Sequence, residues 1–179
     1  MGTYRQGRKV QCRPRDAPVM PVLSDRDILA AMEAGRLRIE NFREENLTPN
    51  GYDLTVAEVA IIARETETVS SGVAHVPPHV RFAVSTVETV DLGPTVTGSL
   101  WLRTTWIRRG VIASFGKVDA GFRGTLTLGA LNANASETLE LPIGERFAQI
   151  GFEDLSSPAE RVYSERSGHY QGQRGVRLR

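Results

Sequence analysis

The chain has 179 residues with 22 Lys plus Arg against 21 Asp plus Glu, a formal net charge of +1. That length suits one domain with a sizeable core, and the balanced charge gives no global field aimed at nucleic acid or a membrane. One cysteine, Cys12, excludes an intrachain disulfide framework and a zinc site of several cysteines; with no apolar run of membrane-spanning length and no signal-peptide core, a soluble cytoplasmic protein is expected.

Residues 1–20 carry Arg5, Arg8, Lys9, Arg13 and Arg15 against Asp16 alone and show no apolar periodicity. A disordered basic arm is the expected state. Such an arm can touch nucleic acid, but a solvated tail or an extended start site is the reading preferred here, with Met20 a candidate for the real first residue because ordered sequence is expected to begin immediately after it. Residues 21–179 then form the domain. Ser24–Ala34 carries the clearest helix signal: Ser24 can cap it, Asp25 and Asp27 suit its positive end, and Gly35 can end it.

From Leu37 onward the chain reads as short strands between turns: Leu37–Ile39, Tyr52–Val56, Val59–Ala63, Arg81–Val90, Val96–Leu102, Thr138–Leu141 and Phe147–Leu155. Little other helix is visible. So many short strands imply an all-β sandwich or a barrel-like jelly roll. Ser156–Arg179, taken alone, reads as a loose polar terminus.

The segment Gly110–Asn132 organises the rest. The run Val111–Phe115 leads into a polar turn, Gly116–Gly124, and then into the alternating run Thr125–Leu131, a strand–turn–strand pattern. The turn gathers Asp119, Phe122 and backbone amides near glycines, which let the chain approach a ligand closely. An acid held there can orient or deprotonate a water; a plain hairpin turn would show the same residue types.

Four separated segments resemble the motifs of the dUTPase/dCTP deaminase superfamily: Pro49–Leu54 (PNGYDL), Arg103–Ile112 (RTTWIRRGVI), Val118–Gly124 (VDAGFRG) running on to Asn132, and Gly144–Ile150 (GERFAQI). The closing His169–Gln173 (HYQGQ) is similar to the tail of the deaminase-like branch, which includes archaeal dUTPases. The resemblance implies a distorted jelly roll of the dUTPase-like (β-clip) kind with one short N-terminal helix. It also implies a homotrimer with active sites between subunits, nucleotide substrates, and Mg²⁺ held through phosphates and water rather than by protein ligands. Arg103, Arg108 and Gln149 match phosphate-contacting positions, and Thr104 and Thr105 stand where serines are usual, keeping the hydroxyls. Trp106 replaces a usual leucine and is assigned to packing. The backbone around Ser114, Phe115, Lys117 and Val118 would pair with the base edge, with no firm role for the Lys117 side chain. Phe122 would lie against the deoxyribose or pack in the core. Tyr170, Gln171 and Gln173 would belong to a closing tail.

One position separates the two activities of the superfamily. Deaminases carry a glutamate in a Thr-Leu-Glu-type run to move protons; here the run is Thr127-Leu128-Gly129, and glycine has no side chain for that task. Asp119 matches the water-orienting aspartate of dUTPases. Archaeal dUTPases of the deaminase-like branch also lack the glutamate, and their Gly-Val-Ile-Gly-Ser-Phe run is similar to Gly110–Phe115. The resemblance therefore implies hydrolysis of dUTP to dUMP and pyrophosphate. The alternatives are a dCTP deaminase, alone or bifunctional, using another acid such as Glu137 or Glu145, and a non-catalytic nucleotide-binding regulatory protein of the same fold.

Overall fold

The computed structural model describes residues 21–178, so the predicted basic arm lies outside the described residues. The first helix, α1 (Asp25–Glu33), forms for the reasons its sequence suggests. Ser24 Oγ accepts the Asp27 amide while the Asp27 carboxylate accepts the Ser24 amide and hydroxyl, a reciprocal capping box. Those bonds hold the Asp27 carboxyl below the usual aspartate range. Gly35, at φ +68°, ends the helix in a conformation that only glycine adopts freely.

Fourteen strands follow: β1 (Leu37–Glu40), β2 (Leu47–Thr48), β3 (Gly51–Ile62), β4 (Thr66–Val69), β5 (Val73–Val76), β6 (Arg81–Thr86), β7 (Thr89–Leu92), β8 (Val96–Leu102), β9 (Val111–Ile112), β10 (Lys117–Val118), β11 (Arg123–Gly124), β12 (Thr127–Asn132), β13 (Leu139–Pro142) and β14 (Arg146–Asp154). Two short helices, α2 (Thr104–Arg108) and α3 (Tyr163–Arg166), complete the chain. Among the described residues the expected all-β class holds, with three short α-helices where the sequence suggested one.

The main curled sheet runs β10-β8-β14-β3-β6-β12-β9, with β2 and β4 also on β3. β1-β7-β11 and β13-β5 form smaller sheets. Strand β3 makes the curl: its first half pairs with β14, its second half with β6, and a register shift between Val56 and Glu58 turns it between them. Sequence reading divided this strand at Val56 because the bulge interrupts the alternation. Conversely, Arg81–Val90 is two strands, since the chain turns after Thr86 so that β7 pairs with β1.

Gly110–Asn132 is not one hairpin. Its ends do meet, with β9 paired to β12, but β10 leaves to pair with β8 and β11 leaves to pair with β7. The supposed single turn is thus a three-part excursion tying three regions together. Phe147 sits at the centre of the interior, with Phe82, Trp106 and Phe115 at ring distances of 6.0, 5.9 and 6.4 Å. Burying such rings adds to the hydrophobic stabilisation of the core.

Candidate functional site

The first group of predicted residues lies where β8 runs into α2. Trp106 fixes this helical turn: it is buried, donates Nε1–H to the Arg146 carbonyl at 2.8 Å, and carries Arg109 over its ring at 4.8 Å. Its predicted packing role is the observed one. With Trp106 inside, Thr104, Thr105 and Arg108 are turned outward and exposed. Arg103, at the N-terminal cap of α2, is held through Nε by the Asp53 carboxylate at 3.0 Å. Arg146 approaches the same Asp53 oxygen at 3.5 Å.

Asp53 itself is buried on β3, and burial raises its carboxyl above the usual aspartate range despite Arg103, Arg146 and a hydrogen bond from Gln149. Gln149, on β14, also donates to Thr48 Oγ1 at 3.0 Å. Gly51 is what lets these strands close up: a Cβ there would meet the Ile150 carbonyl oxygen at 2.6 Å. Arg103, Thr104, Thr105 and Gln149 line one cavity of about 520 Å³, shared with Asp53 and Trp101. A cavity walled by a guanidinium, two hydroxyls and an amide can receive a polyanion.

The second group surrounds β10. Val118 is buried and Asp119, next in sequence, is exposed. Lys117 Nζ lies 3.1 Å from the Glu153 carboxylate, which also accepts from Ser99 Oγ at 2.9 Å. These bonds hold the Glu153 carboxyl below its usual range. Phe122 is buried, edge-on to Tyr163 at 5.5 Å. Asp119, Phe122, Lys117, Val118, Tyr170 and Gln173 line a cavity of about 230 Å³. Phe122 therefore both packs in the interior and walls the cavity.

The end of the chain is not loose. The Tyr163 hydroxyl accepts the Tyr170 amide at 3.1 Å, and Gln173 is buried with Nε2 donating to the Thr125 carbonyl at 2.6 Å. The packing of this segment corrects the composition-only expectation of a loose terminus.

Ser114 and Phe115 lie between the two groups. Phe115 is half-buried against Phe147, and Ser114 is exposed. The base-pairing edge expected around Ser114–Val118 is partly used within the chain: the Gly116 carbonyl accepts the Leu100 amide and the Val118 carbonyl accepts Thr97 Oγ1.

Gly129 is exposed on β12, and a Cβ there would have no atom within 4 Å. The concavity it borders also holds Ser114, Arg81 and the tail residues Arg177 and Leu178, with no acidic side chain in its lining. Glu137 and Glu145, the acids weighed as substitutes, are exposed in the turns before β13 and β14 and line neither cavity described above. Among the described residues no three His, Cys, Asp or Glu side chains cluster to hold a metal ion.

Sequence reading missed three participants. Asp53 was inside a quoted motif but not assigned a role, although it is the one acid in the otherwise uncharged run Tyr52–Val56. Glu153, which anchors Lys117, gave no sequence signal. Tyr163, which packs edge-on against Phe122, sat in a polar stretch with no periodicity to mark it.

Residues 22–155 match the sequence profile of a family described as dCTP deaminase-like. A dCTP deaminase of Thermococcus kodakarensis is 41% identical over 141 residues, covering 78% of this chain and 88% of the relative. A protein of Sulfolobus islandicus rod-shaped virus 1 named "Probable deoxyuridine 5'-triphosphate nucleotidohydrolase" is 32% identical over 158 residues, covering 88% and 97%. The crystal structure of the 2'-deoxycytidine 5'-triphosphate deaminase of Agrobacterium tumefaciens shares the fold, with a TM-score of 0.65 at 19% identity over 75% of this chain and 48% of that one. With these matches and five motifs in order from Pro49 to Gln173, the chain belongs to the dCTP deaminase-like family, within the dUTPase/dCTP deaminase superfamily.

Proposed function

We propose that the protein hydrolyses dUTP to dUMP and pyrophosphate, as a cytoplasmic homotrimer whose sites form between subunits. The observation that carries this reading is the pair Asp119 and Gly129. An exposed carboxylate stands at the cavity of Phe122 and Tyr170, while the position of the deaminase glutamate has open space and no acid beside it. Deamination needs a group to protonate the ring nitrogen and the departing amine; splitting an anhydride needs an aligned water, a base, and cations facing the developing charge.

In this reading Asp119 orients the water and takes its proton. Arg103, placed by Asp53, and the hydroxyls of Thr104 and Thr105 hold the phosphates. Phe122 walls the sugar and base, and Tyr170 and Gln173 close the cavity. Bound Mg²⁺ would neutralise charge on the phosphate oxygens. The two cavities share no lining residue, and Asp119 and Lys117 also line a larger concavity of about 770 Å³ beside Tyr163. In this reading the phosphate group of one copy joins the Asp119 group of another in the trimer. Exposed Trp101, Ile107 and Ile112 offer apolar surface for such a contact.

The names of the archaeal relatives favour the second reading, dCTP deamination, over hydrolysis. One assay separates them: purified protein with Mg²⁺ and either dUTP or dCTP, measuring pyrophosphate and ammonia independently. Pyrophosphate from dUTP without ammonia from dCTP is the expected result. Ammonia from dCTP overturns exclusive hydrolysis, and no product from either nucleotide leaves a binding protein.

A further inference from the structure

The last described residues do not simply end near the cavity; they are laid along the body of the protein. Gln171 Nε2 donates to the Gly121 carbonyl and the Gly172 amide to the Arg123 carbonyl. The Thr125 amide donates to the Gln173 carbonyl, and Arg174 reaches Thr89 Oγ1 at 2.6 Å and the Glu40 carboxylate at 3.7 Å. Beyond Gln173 the tail leaves the cavity, so whatever holds it there acts on Tyr170 and Gln173 from outside.

One holding point beyond the cavity is Glu58. It stands on β3 at the register shift after Val56, and its Oε1 accepts the Val176 amide. Gly175 precedes that bond at φ +65°, and a Cβ there would come within 2.7 Å of the same oxygen. Thr127 adds to the hold, its Oγ1 accepting the Arg177 amide at 3.0 Å and facing the Gly175 carbonyl at 3.4 Å. A carboxylate receiving a backbone amide is among the stronger single hydrogen bonds, and this one joins residues 118 apart in sequence. Glu58 lines neither cavity of the candidate site.

We propose that Glu58 is a positioning residue: by holding Val176 it seats the tail so that Tyr170 and Gln173 cover the nucleotide. The bulge that curls β3 is what aims Glu58 at the tail. The proposal rests on the nucleotide reading of the Asp119 cavity, so its test has one readout that does not depend on that reading.

Two variants act on the contact from opposite sides. Glu58→Ala removes the acceptor, and Gly175→Ala places a methyl group against it in a backbone conformation alanine resists. Hydrogen exchange on the whole protein without nucleotide should show loss of amide protection from Tyr170 to Arg177 in both variants, with protection in β3, β8 and β14 retained. Steady-state turnover of the preferred nucleotide should show KM raised about 10-fold, the size expected of one charge-assisted hydrogen bond, with kcat within about twofold because the reacting groups are untouched. The double variant should do no more than either single one, since both break one contact. Unchanged tail protection in Glu58→Ala overturns the latch itself. Lost protection with unchanged KM overturns its role in seating the substrate, and lost protection in a protein that turns over neither nucleotide overturns the functional reading while leaving the latch standing.

Discussion

Asp53→Asn separates holding the fold from holding the substrate. At 3.0 Å from Arg103 Nε and an effective dielectric constant of about 20, the bare attraction is about 5 kcal/mol. That figure is not the net contribution. Burial alone pushes the Asp53 carboxyl above its usual range, outweighing Arg103, Arg146 and Gln149 together. The charged carboxylate is thus kept at a cost, and asparagine removes that cost. The partners left behind are not trapped, because the Arg103 and Arg146 side chains are 26% and 43% exposed and can be hydrated. Stability should therefore change by about 1 kcal/mol or less, well short of the 3–5 kcal/mol lost when a fully buried pair is broken. Activity should respond differently. Asp53 fixes both Arg103 and Gln149, and displacement of phosphate-holding groups by about 1 Å costs about 100-fold in rate. Thermal unfolding and steady-state kinetics on the same preparation would test this. A kcat/KM within about threefold of the unmodified protein would refute the positioning role of Asp53.

Two further outcomes concern Glu88 and Gly121. Burial raises the Glu88 carboxyl above the usual glutamate range despite the bonds from Thr55. A raised value in the folded state means that its stabilising contribution is complete below the unfolded-state value and is lost as pH rises through the folded one. Glu88→Gln should gain on the unmodified protein in denaturant unfolding as pH rises from 4 to 7, by at most about 1.4 kcal/mol per pH unit; parallel stability curves would contradict this. Gly121→Ala should destabilise by about 2–4 kcal/mol in urea, since φ is +82° and the new Cβ would meet Val162 Cβ at 2.4 Å. A loss under about 0.5 kcal/mol would mean that the segment leading into α3 is not packed on the turn as described.

How much of this was legible in the sequence depends on how local each cause is. The cap of α1 was readable because Ser24, Asp27 and Gly35 act within a few residues of one another. The strands were readable by alternation wherever one strand keeps one pair of neighbours, as β8 does along β14. Legibility failed where a strand changes partner. The Val56–Glu58 bulge split β3 in the reading, and the departures of β10 and β11 to distant strands looked like one turn. α2 went unseen because five residues give no helical period; it is fixed by Trp106 bonding to Arg146 far along the chain. At the candidate site, the family motifs pointed to Arg103 and Gln149 by type, but the group that holds them, Asp53, comes from another strand. Residue identity is local, whereas its support is set by the folded topology.

The division of the candidate site into two cavities bears on how the protein behaves as a population. Each chain offers a phosphate-facing cavity and an acid-facing cavity with no lining residue in common. If the cavities join across copies as proposed, turnover depends on protein concentration as well as on fold. Dilution below the assembly threshold would then silence every site while leaving each monomer's secondary structure intact.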